Sequence, residues 1–236
     1  MRSKILLATA IATLFSASYT HSQDKWADTK ITSQPVSGSV HMLKGMGGNI
    51  GISAGPEGIL IIDDQFAPLA EKIAVAIGEI AQTPMKYVVN THYHGDHTGS
   101  NAYFTEVKGS TIFAHDNVRK RLVNKKEHTH SELPVVTYQQ GITFHFNGDT
   151  INVMHMPAGH TDSDSVVWFE KANVLHPGDL FFEGRFSYID LDGGGTVTGY
   201  ITNVTKLISM LKEDTKIIPG HGSLATKSDY QKALDM

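Results

Sequence analysis

Apolar residues in this chain come as short runs separated by Gly, Pro, Asn and Asp. Runs of that kind, bounded by turn formers, read as strands. Val40-His41-Met42-Leu43 is the first, after a polar stretch over 23–37 that reads as a loose arm. Gly45-Met46-Gly47-Gly48 reads as a flexible turn. Asn49 to Ala54 and Ile59 to Asp63 then form a hairpin about Gly55-Pro56-Glu57-Gly58. Pro68 to Ile80 changes period: Leu69, Ile73, Val75, Ala76, Ile77 and Ile80 suit an amphipathic helix, with Pro68 near its first turn. Tyr87 to Asn90 and Thr111 to Ala114 are further strands, and Asp116 caps a helix running through Leu122 towards Lys126. Asn124 to Glu132 has no apolar period and reads as an exposed loop. Gly141 to Phe146 and Thr150 to Met154 make a second hairpin about Asn147-Gly148-Asp149. Val166 to Phe169, the brief Val174-Leu175 and Lys216 to Ile218 complete the strands. A helix over Thr198 to Leu211 shows Ile201, Val204, Leu207, Ile208 and Leu211 on one face and follows the flexible Gly193-Gly194-Gly195. Another helix starts at Lys227. Strand, helix, strand in this order predicts the α/β class.

Composition narrows the picture. The 236 residues fit one large domain, taken as 23–236. Twenty basic against 24 acidic residues, without a basic stripe, argue against a nucleic-acid partner. Cysteine is absent, which removes disulfides, thiolate ligands and a cysteine nucleophile. At the N-terminus, Arg2 and Lys4 precede an apolar stretch from Ile5 to Phe15, too short to span a bilayer. Thr20 and Ser22 suit positions −3 and −1 of a cut, so residues 1–22 read as a secretory signal peptide. The expectation is a periplasmic or secreted protein with no membrane association once the signal is removed.

Thirteen histidines are many for this length. Three of them, His92, His94 and His97, stand with Asp96 in one loop after the Tyr87-Val88-Val89 strand. Imidazole and carboxylate are what zinc takes when no thiolate is on offer. Further candidates follow strand-like runs: His160 after Gly159, Asp179 in His176-Pro177-Gly178-Asp179, and His221 in Gly220-His221-Gly222.

His92-x-His94-x-Asp96-His97, with those downstream motifs, resembles the signature of the metallo-β-lactamase superfamily over about residues 38–224. The resemblance implies an αββα sandwich with its site at the edge where strand-end loops meet. It implies that His92, His94 and His160 hold a first metal, Asp96, His97 and His221 a second, and Asp179 bridges them. Two Zn²⁺ ions are the usual occupants, with iron or manganese possible. Together they lower the pKa of a shared water, and the resulting hydroxide attacks an acyl carbon of a small-molecule substrate. Asp96 could orient that hydroxide. Asp63 matches a position that supports the metal loop from behind, or it merely caps a turn. His176 could hydrogen-bond the metal shell. His41, His145 and His155 read as packed or surface residues, and His115, His128 and His130 as exposed.

Departures separate the branches. Zinc β-lactamases with one thiolate ligand carry cysteine where Asp179 stands and lysine where Phe182 stands. Glyoxalase II uses Asp at the bridge and matches all seven ligands, but its glutathione-binding helical domain needs more than the residues that follow His221. The chain resembles exported β-lactamase-like metallo-hydrolases with a glyoxalase II-type ligand set. Arg185 there clamps a substrate carboxylate or forms a structural ion pair. Three readings follow: a dinuclear zinc hydrolase of an ester, thioester or lactam, a metal-binding accessory protein without efficient turnover, and a true β-lactamase.

Overall fold

A computed structural model gives the fold and describes residues 25–125 and 127–236; the signal-peptide expectation lies outside them. The first sheet holds seven strands in chain order: β1 Thr32–Ser37, β2 Val40–Lys44, β3 Ile50–Gly55, β4 Gly58–Ile62, β5 Met85–Asn90, β6 Thr111–His115 and β7 Val136–Tyr138. The second holds six, also in chain order: β8 Gly141–Phe146, β9 Asp149–His155, β10 Ser165–Phe169, β11 Val174–His176, β12 Lys216–Ile217 and β13 Ala225–Thr226. The α-helices that pack with them among the described residues are α1 Ala70–Ile80, α2 Gly95–Thr98, α3 Asn101–Glu106, α4 Asp116–Val123, α5 Val197–Met210 and α6 Lys227–Asp235.

The unbroken apolar run of β4 explains the layering. Leu60 and Ile62 face the second sheet and join Met42, Val89, Ile151, Val167 and Phe169 in the core between sheets. Ile59 and Ile61 face the other way and pack with Ile73 and Ile77 of α1. A strand buried on both faces has no polar side to show. Across the sandwich, Leu175 and Ile217 pack under Val204 and Leu207 of α5 and under Tyr230 of α6. The order is helix, sheet, sheet, helix, as the αββα expectation required. Each fully buried Ile or Leu contributes roughly 1.5–3 kcal/mol, so the three packed layers hold the sandwich together.

Both hairpins form. In the second, Asn147 and Gly148 both take positive φ (53° and 72°), as a two-residue primed turn requires. The brief Val174-Leu175 run is a real strand, because β11 is wholly buried between β10 and β12. The loose arm is the main correction: Thr32–Ser37 pairs with β2 as an edge strand. Its outer residues are exposed, so it lacks the apolar alternation that marks a strand. The short β7, β13, α2 and α3 were also missed. Each is too brief for a period to show. Helix α6 is closed by a capping box between Thr226 and Asp229 and anchored by the fully buried Tyr230, stacked on Phe181.

Strand direction brings the loops together. β4, β5 and β6 are parallel, so their C-terminal ends share one edge of the first sheet. β9 and β11 both run antiparallel to β10, and β12 runs parallel to β11, so their ends share one edge of the second. Backbone hydrogen bonds stitch the two edges: Ser165 N donates to Thr91 O and Asn49 N to Gly220 O, both at 2.7 Å.

Candidate metal centre

All seven sequence candidates meet at this edge. Their ligand atoms form two groups, His92, His94, His160 and Asp179 in one, and Asp96, His97 and His221 in the other. Within each group the atoms lie within 4.8 Å of one another. In the first group, His94 Nδ1 faces His92 Nε2 at 3.1 Å and His160 Nε2 at 3.0 Å. Nitrogens bound to one tetrahedral zinc at about 2.0–2.1 Å sit roughly 3.3 Å apart. Asp179 stands between the groups. Its Oδ1 lies 3.2 Å from His97 Nε2, and its Oδ2 lies 3.7, 3.5 and 3.5 Å from the Nε2 atoms of His92, His160 and His221. Asp96 Oδ2 lies 3.6 Å from His97 Nε2 and 3.2 Å from His221 Nε2.

The donor set fits a cation. His97 Nε2 and Asp179 Oδ1 are buried and make no hydrogen bond. Unpartnered buried groups cost free energy unless something completes them. Burial holds His92 and His160 below the ordinary imidazole value, so they are neutral and their lone pairs are free to coordinate. Burial also opposes charge on His97, but Asp179 and Asp63 outweigh it and push His97 well above its ordinary value. Asp179 is held well below the usual carboxylate range: burial opposes this, and the charge of His97 prevails. Negative charge thus concentrates at the one carboxylate that faces both groups.

Each imidazole is aimed from behind. Asp63, fully buried, contacts His97 Nδ1 through Oδ2 at 2.7 Å and accepts Thr91 N and Thr91 Oγ1, each at 2.7 Å. It therefore supports the metal loop and does more than cap a turn. Its φ of 62° is strained for a residue with a side chain, as is that of Gln65 at 58°. His160 Nδ1 donates to Tyr188 O at 2.7 Å. His94 Nε2 donates to Asp190 Oδ2 at 2.8 Å, where Tyr93 Oη also donates. Such contacts set which nitrogen faces a metal. Burial would raise Asp190, but Tyr93, His94 and the Gly193 amide outweigh it and hold the carboxyl at about 2.

Asp190, Tyr93 and the Tyr188 carbonyl had no assigned role in the sequence. The available signal was the Gly193-Gly194-Gly195 run, which is a mould and not a flexible stretch. A Cβ at Gly193 would overlap Asp190 and come within 2.8 Å of Tyr93 Oη, and one at Gly195 would overlap the His160 carbonyl. Gly48 does the same for His97, whose Nε2 would lie 2.6 Å from a Cβ there. The Gly45–Gly48 turn is likewise fastened, with Gln65 Nε2 donating to Gly48 O and Gly48 N to Asp96 O.

Other expectations divide. His176 is fully buried and braces backbone: Nε2 donates to Asn49 O, and Nδ1 accepts the Gly178 N–H in the turn that carries Asp179. It does not bond a ligand side chain. His115, expected at the surface, is buried, caps α4 through Nδ1 and stacks on His155 at 3.7 Å. His128 and His130 are exposed as expected. Arg185 is exposed and makes no ion pair among the described residues; its guanidinium lies 5.1 Å over Phe182. Phe182 in turn stacks on His221 at 5.0 Å, at the mouth of the site.

Comparison with known proteins agrees. A family model described as "Metallo-beta-lactamase superfamily" matches residues 62–221. Over 153 residues the chain is 26% identical to "Metallo-beta-lactamase IND-1" of Chryseobacterium indologenes, which covers 65% of this chain and 62% of that one. It is 28% identical over 151 residues to "Hydroxyacylglutathione hydrolase" of Pelagibacter ubique, 64% of this chain and 57% of that one. The chain thus spans less than two thirds of either relative. In fold it is similar to the solved "Metallo-beta-lactamase from Pontibacter korlensis", with TM-score 0.74 at 18% identity over 87% of this chain and 99% of that one. The family match covers most of the described fold and every one of the seven converging residues, and on that ground the chain belongs to the metallo-β-lactamase superfamily.

Proposed function

We propose that this protein is a dinuclear zinc hydrolase that cleaves an acyl bond of a small-molecule ester, thioester or lactam. One observation carries the reading: the Asp179 carboxylate stands between the groups, one oxygen 3.2 Å from His97 and the other 3.5–3.7 Å from His92 and His160 of the first group and 3.5 Å from His221 of the second. His92, His94 and His160 would hold one ion, Asp96, His97 and His221 the second, and Asp179 both. The ions, when bound, would supply Lewis acidity and lower the pKa of a water. The residues do the rest. Asp63, Asp190 and the Tyr188 carbonyl fix the imidazoles, so little reorganisation is left to the reaction. Asp96, with its side chain 23% exposed against 4% for Asp179, is the carboxylate open to the solvent side and orients the attacking water. Phe182 brings an apolar ring where a lysine would serve a lactam carboxylate.

A true β-lactamase, with lactams as its efficient substrates, is the second reading. It is favoured by Arg185, an exposed cation poised over Phe182 that could meet such a carboxylate. The zinc-loaded protein, assayed on lactams, lactones and thioesters beside elemental analysis, tests both. We expect two equivalents of zinc, turnover of esters or thioesters, and poor turnover of penicillins. Two bound ions with no turnover of any substrate would replace the hydrolase with a metal-binding accessory role.

A further inference from the structure

The loop after Asp179 inverts the usual surface pattern. Several of its polar groups point inward and are used: Ser187 Oγ bonds Tyr200 Oη at 2.5 Å, Tyr188 O accepts His160 Nδ1, and Asp190 holds His94. Its large apolar side chains point outward. Phe186 is 75% exposed, Tyr188 60% and Leu191 70%. At the start of α5, Val197 and Ile201 are 57% and 49% exposed, one helical turn apart on the same face. Isolated exposed apolar residues are ordinary, but five within sixteen positions on a pinned segment mark a binding surface. What covers it follows from where it leads. The Tyr188 ring lies 5.8 Å from the His160 ring and 6.4 Å from the His94 ring, so the exposed apolar residue at the middle of the loop adjoins the imidazole cluster.

We propose that this loop is an acyl platform: the preferred substrate carries a medium-length apolar chain, which lies on Phe186, Tyr188 and Leu191 while its scissile carbonyl reaches the imidazole cluster. This rests on the acyl-hydrolase reading above and narrows its substrate class. An apolar chain is the occupant that both the loop and the adjoining site accept, because Phe186, Tyr188 and Leu191 offer contact area, while Arg185 and Asp192, both exposed, flank it with opposite charges. A half-buried methylene is worth roughly a factor of two, so an eight-carbon acyl group gains on the order of fiftyfold over a two-carbon one.

The test uses zinc-loaded full-length protein and p-nitrophenyl acetate, butyrate and octanoate, with binding of octanamide and acetamide measured by calorimetry. The expected result is a steady rise of kcat/KM with chain length, tighter binding of octanamide than of acetamide, and a Phe186→Ser/Leu191→Ser variant that flattens both trends while keeping its circular dichroism. Turnover of all three esters with equal kcat/KM would overturn the platform and leave the hydrolase reading standing. Absence of ester turnover, with octanamide still bound and weakened by the variant, would keep the platform and remove the hydrolase reading. Sedimentation closes the remaining route: a wild-type dimer that the variant turns monomeric, with no change in chain-length preference, would assign the surface to a second copy of the chain and overturn the proposal.

Discussion

Replacing Asp63 separates aiming from ligation, because Asp63 touches His97 without belonging to either ligand group. Asp63→Ala leaves Thr91 N, Thr91 Oγ1 and His97 Nδ1 without their partner, all in the interior. Each stranded donor costs about 1–3 kcal/mol, and the losses are shared within one network, so about 3–5 kcal/mol in total is expected. For a chain of this size that lowers Tm by roughly 6–20 °C. Losing the carboxylate also frees the His97 ring, which should weaken the second ion by about 10–100-fold. Asp63→Asn tests the same logic at constant shape. Both carboxylate oxygens accept from an N–H, but an amide has one oxygen, so either placement leaves an N–H facing an NH₂. Its Tm should fall less than that of the alanine variant, while its zinc loss should be similar. Competition against a chromophoric chelator resolves the two binding steps, and Asp190→Ala is the counterpart. That change frees His94, so the ion held by His92, His94 and His160 should weaken instead. If both variants weaken the same step, or if Asp63→Ala leaves Tm within about 2 °C and both affinities unchanged, the aiming argument is wrong.

Three further outcomes are expected. Asp179→Ala should cut bound zinc to near one equivalent by elemental analysis, with a large loss of rate and unchanged circular dichroism, since His92, His94 and His160 remain. Gly48→Ala should displace His97 through the overlap of its Cβ with that ring, lowering second-site zinc affinity with little change at the first. The third concerns acid. Burial, and for His115 the charge of its neighbour His155, hold both stacked imidazoles below the ordinary value. The unfolded chain then takes up protons first as pH falls below about 6.5, so the stability they contribute is present at pH 7–8 and lost on acidification. Asp116, Asp162 and Tyr138 face the pair and do not reverse the direction. His115→Asn keeps the helix cap and cannot titrate, so melts between pH 7.5 and 5.5 should show a shallower fall than the wild type.

The seven converging residues were legible because coordination needs particular side chains, and those side chains followed strand-like runs that a sheet would align. The inter-sheet core was legible too, since Leu60 and Ile62 lie in a run too apolar to have a wet face. The edge strand β1 was not, because Thr32 to Pro35 are exposed and their pairing with β2 is made by backbone alone. The groups that aim the ligands were harder still. Asp190 lies 96 residues from His94, and Tyr188 bonds His160 through a carbonyl that every residue possesses. No local pattern encodes such contacts; they exist only once β9 and β11 end at the same edge. Yet they left a mark in the glycines. Gly48, Gly193 and Gly195 each stand where a Cβ would enter His97, Asp190 or the His160 backbone. Glycine read as flexibility was, at these positions, the imprint of a rigid neighbour. Ligands can be found by their chemistry, whereas the residues that hold them are found by the space their neighbours give up.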